Sequence, residues 1–475
     1  MNYWVSSLSL ISRNSYVTGG NGKRGELHFM GLGGIGMSGL ARVMLEAGYP
    51  VSGCDQHPSA ALDRLAAQGA KVFRGHNPSH LVNVERLVVS SAIPKDNLEI
   101  TAARERGLPV FKRGEMLGQL MAGSRGIAVA GSHGKTTTTA LIAYLLEQGG
   151  LDPTILVGGE MVDLGTNAKL GQGDYLVAEA DEFDGSFLHL TPTIAVVTNI
   201  DAEHLDYYGN YQAVQEAFYR FMASTRDEGY LVVCGDDAGV RGLLPRFIER
   251  HLVTYGLGEG LDWQAGEIYL DAQGGARFNI YHWGRVVMSA TLALNGRHNV
   301  VNSLAAAAVG SLLGLGKEKI RAALGSFQGV RRRFEVMGEV KGITVVEDYA
   351  HHPTEIRATL GAARTRFPGR RIRCLFQPHT YSRTKLLLTE FATSFQDAEE
   401  VVITDIYAAR EDNTWGVSSG DVVAVMSHPC ARYVADMHQA AEGIVGSARA
   451  GDVILVMGAG DIQKVSYRIL EELSR

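Results

Sequence analysis

Residues 127–148 read IAVAGSHGKTTTTALIAYLLEQ, and this stretch decides the predicted fold. A short apolar run is followed by the turn Gly131-Ser132-His133-Gly134-Lys135-Thr136 and then by a helix-like segment. This order is typical of a phosphate loop, in which backbone N–H groups and a lysine hold phosphates and a hydroxyl reaches Mg²⁺. The loop is shorter than the ordinary form, because Val129 stands where the first glycine would be. The stretch therefore predicts a nucleoside triphosphate site and argues against ordinary kinases and GTPases.

A second glycine-rich turn lies upstream. Gly31-Leu32-Gly33-Gly34-Ile35-Gly36 follows the apolar run LHFM and precedes a predicted helix. Such glycines let the backbone approach a diphosphate at a helix N-terminus. Asp55 ends the next predicted strand, 19 residues after Gly36, where a ribose-binding acid is expected. By itself the turn fits a nicotinamide dinucleotide, a nucleotide-sugar diphosphate, or tight strand–helix packing without any ligand.

Short apolar runs alternate with amphipathic stretches along most of the chain, which predicts an α/β protein built from parallel sheets covered by helices. Three such series begin at LHFMGLGG, GIAVAGSHGKT and TVVEDYA. We therefore predict three domains, at residues 25–123, 124–328 and 329–475. Residues 1–24 are polar, and we expect a mobile N-terminal extension or a start codon placed too early.

Composition excludes several classes of function. The 475 residues carry 45 Lys and Arg against 51 Asp and Glu, a net charge of −6, so no basic excess favours nucleic acid or anionic lipid. No apolar run reaches the ~20 residues of a membrane span, and the N-terminus lacks the basic region of a signal peptide. The four cysteines form no C-x-x-C pair, which disfavours a zinc ribbon or a redox dithiol. We predict a cytoplasmic protein.

Further candidate side chains follow predicted strands of the middle series. Glu179 ends YLVAE, the position of a carboxylate that holds Mg²⁺ beside a phosphate loop. His204 follows in TNIDAEH, and because Mg²⁺ prefers oxygen ligands, chemistry alone favours a structural or substrate-binding histidine. His298, Asn299 and Asn302 open a predicted helix, where the amides match an adenine edge or merely cap the helix.

The third series adds cationic and imidazole side chains. Arg333 lies at the predicted hinge, where a guanidinium can reach a γ-phosphate as domains close. His351 belongs to DYAHHP, but no cysteine or third histidine at ligand spacing supports zinc there. His379 and Arg383 follow the strand RCLF, where they bind a carboxylate or serve only as turn residues.

Two phosphate-type loops imply two phosphate-bearing ligands. ATP, a nucleotide-linked acid and a small amino acid together predict ATP-driven ligation, because phosphorylation turns a carboxylate into an acyl phosphate with a good leaving group. Closure of the third domain would exclude water from that acyl phosphate. The alternatives are a dinucleotide-dependent oxidoreductase and a non-catalytic nucleotide-binding module.

Several segments occur in the order seen in the Mur ligases, and the chain resembles that family over roughly residues 26–475. They are GSHGKTTTT, EADEFDGSF, TNIDAEHLD, LNGRHNVVNSLAAAA, GVRRRFE, DYAHHPTEI and QPHTYSRT. HFMGLGGIGMSGLA and DIYAAREDN are most similar to the branch that joins L-alanine to UDP-N-acetylmuramate. The alternative branch re-attaches a recycled muropeptide to the same UDP-sugar.

The resemblance implies a UDP-binding Rossmann-like domain, a central ATPase domain with a parallel sheet, and a C-terminal Rossmann-like domain for the amino acid. It implies that ATP and Mg²⁺ drive formation of UDP-N-acetylmuramoyl-L-alanine, ADP and phosphate in cytoplasmic peptidoglycan precursor synthesis. UDP-N-acetylmuramate and L-alanine are the implied partners. We expect no nucleic acid, no membrane insertion, and a monomer or weak homodimer.

The resemblance also assigns residues. It places ATP on Gly131, Ser132, His133, Gly134, Lys135, Thr136, Thr137, His298, Asn299, Asn302, Arg333 and Asp348. It places the metal on Thr136, Glu179 and His204, and the catalytic roles on Lys135, Glu179, His204 and Arg333. It places the UDP-sugar on Gly33, Gly34, Ile35, Gly36, Ser38 and Asp55, and the amino-acid and carboxylate region on His351, His379, Tyr381 and Arg383.

Overall fold

The computed structural model describes residues 24–271 and 274–475. The predicted extension, residues 1–24, therefore lies outside the described residues apart from its last position. Each of the three predicted series forms a separate sheet flanked by helices, which confirms an α/β protein of three domains. The predicted domain limits remain predictions. In the described part of the chain, no helix is both long and apolar enough to cross a membrane.

The first sheet is entirely parallel. Its elements are β1 Glu26–Met30, α1 Ile35–Glu46, β2 Val51–Asp55, α2 Ala60–Ala67, β3 Lys71–Arg74, a 3-10 helix Pro78–Leu81, β4 Val84–Val89, α3 Leu98–Glu105, β5 Val110–Lys112 and α4 Arg113–Ala122. The strand order is β3-β2-β1-β4-β5. β1 therefore occupies the centre, where its carboxyl end delivers the first glycine loop to a sheet edge at which ligands bind.

The second sheet has ten strands. Its elements are β6 Arg125–Ala130, α5 Lys135–Gln148, β7 Thr154–Met161, β8 Thr166–Lys169, β9 Tyr175–Glu179, a 3-10 segment Phe183–His189, β10 Ile194–Val197, α6 Leu205–Tyr208, α7 Tyr211–Ala223, β11 Tyr230–Cys234, α8 Ala238–Leu243, a 3-10 helix Leu244–Phe247, β12 His251–Gly256, β13 Trp263–Leu270, β14 Ala276–His282, β15 Arg285–Leu292, α9 Arg297–Leu312 and α10 Lys317–Ser326. The strand order is β15-β14-β13-β12-β11-β10-β6-β9-β7-β8.

The middle of this sheet is parallel as predicted, but both edges are not. β13–β14, β14–β15 and β7–β8 pair antiparallel. The outer strands β14 and β15 bury one face and expose the other in near alternation, whereas β6 and β10 are buried almost throughout. One-sided burial suits antiparallel hairpins, and two-sided burial suits parallel strands covered by helices.

The third sheet has six strands. Its elements are β16 Glu335–Val340, β17 Ile343–Asp348, α11 Pro353–Arg366, β18 Ile372–Phe376, α12 Tyr381–Leu386, α13 Leu388–Ala392, β19 Glu400–Ile403, α14 Ser419–Val425, β20 Ala431–Tyr433, α15 Met437–Gly446, β21 Val453–Met457 and α16 Gln463–Ser474. The strand order is β16-β17-β21-β18-β19-β20, and only β16 pairs antiparallel.

Direct contacts hold the three domains around a common space. Asn167 Nδ2 donates to Ile35 O at 3.0 Å, which ties the second sheet to the first glycine loop. Thr354 Oγ1 donates to Asp201 Oδ2 at 3.0 Å, which ties α11 to the loop after β10. The carboxyl ends of strands from all three sheets therefore face one another.

Candidate active site

The phosphate loop after β6 has a conformation that only glycine tolerates at two positions. Gly131 and Gly134 have φ of 144° and 78°. A Cβ on Gly131 would lie 1.9 Å from Thr198 Oγ1, and one on Gly134 would lie 2.9 Å from Asn302 Oδ1. Thr198 Oγ1 also donates to His133 O at 2.6 Å. The loop is thus shaped before any ligand arrives, with α5 starting at Lys135.

Lys135 is held inside this loop by anionic and carbonyl oxygens. Its Nζ lies 2.7 Å from Glu182 Oε1 and donates to Ser132 O at 3.1 Å. Burial alone would lower the pKa of Lys135, but the carboxylates of Glu182, Asp181 and Glu179 outweigh burial and raise it. Lys135 is therefore a permanent positive charge at a helix N-terminus, which suits a polyphosphate.

Carboxylates after β9 supply oxygen donors beside the lysine. Glu179 Oε2 accepts from Gly158 N at 3.0 Å, so its orientation is set by the backbone. Glu182 Oε2 is buried and has no hydrogen-bond partner within the described residues. Thr136, which carries a hydroxyl, lines the same cavity. Because these donors are hard oxygen atoms around an unsatisfied carboxylate, the set fits Mg²⁺.

His204 joins the acidic group from the other side. It begins α6 with a left-handed φ of 56°, and its Nε2 lies 3.9 Å from Glu182 Oε1. Its ring meets Phe183 edge-on at 5.1 Å between centroids. The structure therefore brings His204 to the predicted metal region, and both interpretations of this histidine, ligand or structural, remain predictions.

The start of α9 lies behind the phosphate loop. Asn302 Nδ2 donates to Asn299 Oδ1 at 3.1 Å, and Asn299 Nδ2 donates to Asn295 O at 2.7 Å. Both amides are buried, whereas His298 is exposed. Each amide therefore uses one of its two N–H donors within the protein, and the assignment of this helix start to adenine remains a prediction.

The hinge after α10 places the predicted arginine. Arg332 and Phe334 have left-handed φ of 61° and 51°, and Asp348 holds the turn by accepting from Phe334 N at 2.7 Å. The other carboxylate oxygen of Asp348 accepts from Ala350 N at 2.7 Å, and burial raises the pKa of Asp348 to about 6. Arg333 Nη1 lies 3.8 Å from Glu355 Oε1. Asp348 therefore shapes the hinge that carries Arg333.

The edge of the third sheet adds a second cationic group. Arg383 Nη2 donates to Glu203 Oε2 at 2.9 Å, and its Nη1 lies 3.2 Å from His379 Nδ1. Burial lowers the pKa of His351 to about 4 and also lowers the pKa of His379. Both imidazoles are therefore neutral near pH 7, and Arg383 is the cation of this group; its assignment to a substrate carboxylate remains a prediction.

Sequence reasoning assigned His133 to ATP but missed its two carboxylate partners, Asp201 and Glu355, as site residues. His133 Nε2 lies 3.0 Å from Asp201 Oδ2, and its Nδ1 lies 3.5 Å from Glu355 Oε1. Burial would lower the pKa of His133, but these two carboxylates raise it to about 9. An imidazolium thus joins the second and third domains. Asp201 and Glu355 stand inside TNIDAEH and DYAHHPTEI, so the signal was present as quoted motifs without assigned roles.

The first glycine loop is positioned by Asp55. Gly33 N donates to Asp55 Oδ2 at 2.8 Å, and Asp55 Oδ1 accepts from His57 N at 3.1 Å. Ser38 is buried, and its Oγ donates to Ile35 O at 3.2 Å. Asp55 and Ser38 therefore hold the loop from behind, and ribose binding by Asp55 remains a prediction.

One cavity of about 650 Å³ connects the three domains, which is within the usual range for a ligand site. The predicted residues that line it are Gly34, Ile35, Gly36, Ser132, Gly134, Lys135, Thr136, Glu179, His204, Arg333, His351 and Arg383. An adjoining cavity of about 500 Å³ adds His379. The predicted residues that line neither are Gly33, Ser38, Asp55, Gly131, His133, Thr137, His298, Asn299, Asn302, Asp348 and Tyr381.

Known protein families match this chain in the order of its three domains. Family models match in three consecutive parts: "Mur ligase family, catalytic domain" at residues 26–143, "Mur ligase middle domain" at 129–310, and "Mur ligase, glutamate ligase domain" at 332–460.

Individual relatives match almost end to end. The UDP-N-acetylmuramate–L-alanine ligase of Caldanaerobacter subterraneus subsp. tengcongensis is 44% identical over 449 residues, covering 94% of this chain and 97% of the relative. The protein of the same name from Desulforamulus reducens is 46% identical over 458 residues, covering 95% and 98%. A crystal structure of a UDP-N-acetylmuramate–alanine ligase from Thermotoga maritima has a TM-score of 0.80 and 29% identity, covering 94% of this chain and 99% of its own.

Proposed function

The chain belongs to the Mur ligase family, and we propose that it joins L-alanine to the carboxylate of UDP-N-acetylmuramate with cleavage of ATP to ADP and phosphate. The relatives that bear this name cover nearly the whole chain at 44–46% identity. Membership in a ligase family argues against the dinucleotide-dependent oxidoreductase considered for the first glycine loop. A cytoplasmic location and a monomer or weak homodimer belong to the same proposal.

One observation carries the proposal: a single cavity contacts both glycine loops and the cationic edge of the third sheet. Gly36 from the first loop, Lys135 from the second and Arg383 from the third domain line it together. An ATP γ-phosphate, an acid held by a diphosphate handle and an amino acid would meet there. A dinucleotide dehydrogenase has no need for the lysine loop or for Arg383.

The proposed role of Lys135 and Arg333 is to stabilise charge on the phosphoryl group that moves from ATP to the carboxylate. Both cations are preorganised by carboxylate partners, so they need little reorganisation when charge develops. Mg²⁺, held by Thr136, Glu179 and His204, would neutralise phosphate charge when bound. His133, Gly134 and the start of α9 would hold the remainder of ATP.

The acyl phosphate is the proposed intermediate, because a carboxylate by itself is a poor electrophile toward an amine. The L-alanine nitrogen attacks as the uncharged amine, forms the amide C–N bond and gives up one proton to solvent. The acyl C–O bond breaks, and phosphate leaves with its electron pair. Arg383 would hold the alanine carboxylate, with neutral His351 and His379 beside it. Contacts between domains, such as Arg383 with Glu203 and Thr354 with Asp201, would limit water access to this space.

Phosphate release in the presence of ATP, Mg²⁺ and UDP-N-acetylmuramate tests the proposal. We expect release to depend on L-alanine, and mass spectrometry to detect UDP-N-acetylmuramoyl-L-alanine. Parallel reactions with L-serine, glycine and L-Ala-γ-D-Glu-meso-diaminopimelate separate the amino-acid ligase from the recycling ligase. Release that requires the tripeptide and ignores L-alanine would assign the recycling reaction instead. An absence of ATP cleavage with every amine would refute the ligase proposal.

A further inference from the structure

A buried group of histidine, cysteine and glutamate side chains lies in the first domain, away from the proposed active site. His28 is on β1, Cys54 is on β2, His80 is in the 3-10 helix Pro78–Leu81, and Glu99 is on α3. We call these four residues the first-domain cluster. His28, Cys54 and Glu99 have essentially no exposed surface, and the His80 side chain is 11% exposed. The proposed ligase reaction uses none of them.

The donor atoms of the cluster are close enough to share one ion. All four lie within 4.8 Å of one another. Glu99 Oε1 lies 3.0 Å from His28 Nε2 and 3.2 Å from His80 Nδ1, and Glu99 Oε2 lies 3.4 Å from Cys54 Sγ. Donors around tetrahedral Zn²⁺ are about 3.3–3.8 Å apart, given bonds of about 2.0–2.3 Å. The three Glu99 spacings, 3.0–3.4 Å, lie at or just below the short end of this range, and no donor pair exceeds 4.8 Å.

Outer contacts already orient the ligand atoms. His28 Nδ1 lies 2.8 Å from Ser52 Oγ, which directs Nε2 into the cluster. That Nε2 has no well-directed hydrogen bond within the described residues, although Glu99 Oε1 is near. The His80 ring stacks on Phe73 at 4.2 Å between centroids. Metal-bound histidines in proteins are typically fixed in this way by a partner on the other ring nitrogen.

We infer that the first-domain cluster binds one divalent transition metal of the Zn²⁺ type through His28 Nε2, Cys54 Sγ, His80 Nδ1 and the Glu99 carboxylate. The mixed nitrogen, sulfur and oxygen donors select against Mg²⁺ and Ca²⁺, which prefer oxygen alone. Binding displaces the Cys54 thiol proton to solvent, and the thiolate and carboxylate then balance the two charges of the ion. A buried site favours this neutral total, because an isolated buried charge is costly.

The place of the cluster gives the metal a structural role. Cys54 O accepts from Gly31 N at 2.9 Å and from Leu32 N at 3.1 Å. The next residue, Asp55, holds Gly33. An ion on the Cys54 side chain therefore braces the strand end that supports the first glycine loop. This inference does not depend on the identity of the reaction.

Titration of the full-length, chelator-treated protein with Co²⁺ in excess Mg²⁺ tests the inference, with a phosphine reductant keeping thiols reduced. We expect a thiolate-to-cobalt charge-transfer band that saturates at one equivalent and disappears when Zn²⁺ is added. Because this band requires sulfur, it cannot come from metal bound by the carboxylates near Lys135. Nor can it come from metal bound by His133, Glu203 and His352, whose donor atoms also lie within 4.8 Å of one another. Cys54→Ser should abolish the band, whereas Cys234→Ser, a matched change at another buried free thiol, should keep it.

His80→Phe is a second test, because phenylalanine preserves a ring on Phe73 while removing a ligand. We expect Co²⁺ affinity to fall by more than the roughly tenfold that is lost when an outer-shell partner of a ligand is removed. We also expect Zn²⁺ to raise the Tm of the wild type but not of this variant. A wild-type protein without the sulfur band, or a band unchanged in Cys54→Ser, would show that the cluster is a hydrogen-bonded network without metal. An equal Zn²⁺-induced Tm increase in His80→Phe would also overturn the inference.

Discussion

Replacing Lys135 with alanine tests the centre of the proposed reaction. Its Nζ makes an ion pair of 2.7 Å with Glu182 and lies in the cavity wall beside Glu179. Loss of one preorganised charge on the transferring phosphoryl group should lower kcat by about 10²–10³, or about 3–4 kcal/mol. Alanine-dependent phosphate release at saturating ATP measures this change.

The same substitution has a predictable cost in folding, which must be separated from catalysis. Lys135→Ala leaves the Glu182 carboxylate buried without its cation, and breaking a buried pair in this way costs about 3–5 kcal/mol. The double variant Lys135→Ala/Glu182→Gln removes that stranded charge, so we expect its Tm to recover while kcat stays low. Both are compared by thermal unfolding and phosphate release.

Lys169→Ala is the matched control, because Lys169 forms ion pairs with Glu147 and Asp152 in the same domain but does not line the cavity. We expect its kcat to stay within about twofold of the wild type, since partly exposed ion pairs contribute little. If Lys135→Ala retains more than a tenth of wild-type kcat, the proposed charge on the phosphoryl group is refuted.

Three further changes have distinct signatures. Asp55→Ala removes the acceptor for Gly33 N. Because one charged hydrogen bond is lost, the KM for UDP-N-acetylmuramate should rise about tenfold, while the KM for ATP should not change. The reverse pattern would mean that the first glycine loop binds ATP and the second binds the UDP-sugar. Gly134→Ala should abolish ATP binding by calorimetry, whereas Gly150→Ala, at a similar φ of 81° but in open space, should not. The pKa of His133 is raised from 6.5 to about 9. Its interdomain ion pairs therefore add to the free energy of unfolding in full below pH 6.5, and this stabilisation is lost as the pH rises through about 9. The Tm difference between wild type and His133→Gln should therefore shrink over that range, and a constant difference would contradict the ion-pair assignment.

Local features of this protein were readable in the sequence because they depend on neighbouring residues. The turn from Gly131 to Lys135 needs left-handed glycines, and its place between an apolar run and a helix follows from a short segment. The strand that ends at Glu179 is likewise predicted from a short apolar run. The parallel centre of the second sheet followed from alternating strands and helices, but its antiparallel edges depended on one-sided burial of β14 and β15.

The sequence alone did not reveal every residue of the site or what each one contacts. The pKa of His133 is raised mainly by Asp201 and Glu355, which lie 68 and 222 positions away. Asp55 was predicted to contact ribose and Asp348 to bind ATP, but in the structure their oxygens accept from backbone N–H groups. These backbone partners are supplied only by the folded chain, so the sequence alone does not show them.

The sequence by itself determined the alternation of strands and helices along the chain, the two glycine loops and the carboxylate at the end of β9. These features depend on backbone preferences and burial patterns that act over a few residues. Only the tertiary structure decided which distant side chains share a space. It brought His28, Cys54 and Glu99 together from three separate elements and placed Arg383 against Glu203. Such contacts form when whole sheets and helices pack, and neither ligand spacing nor periodicity along the chain records them.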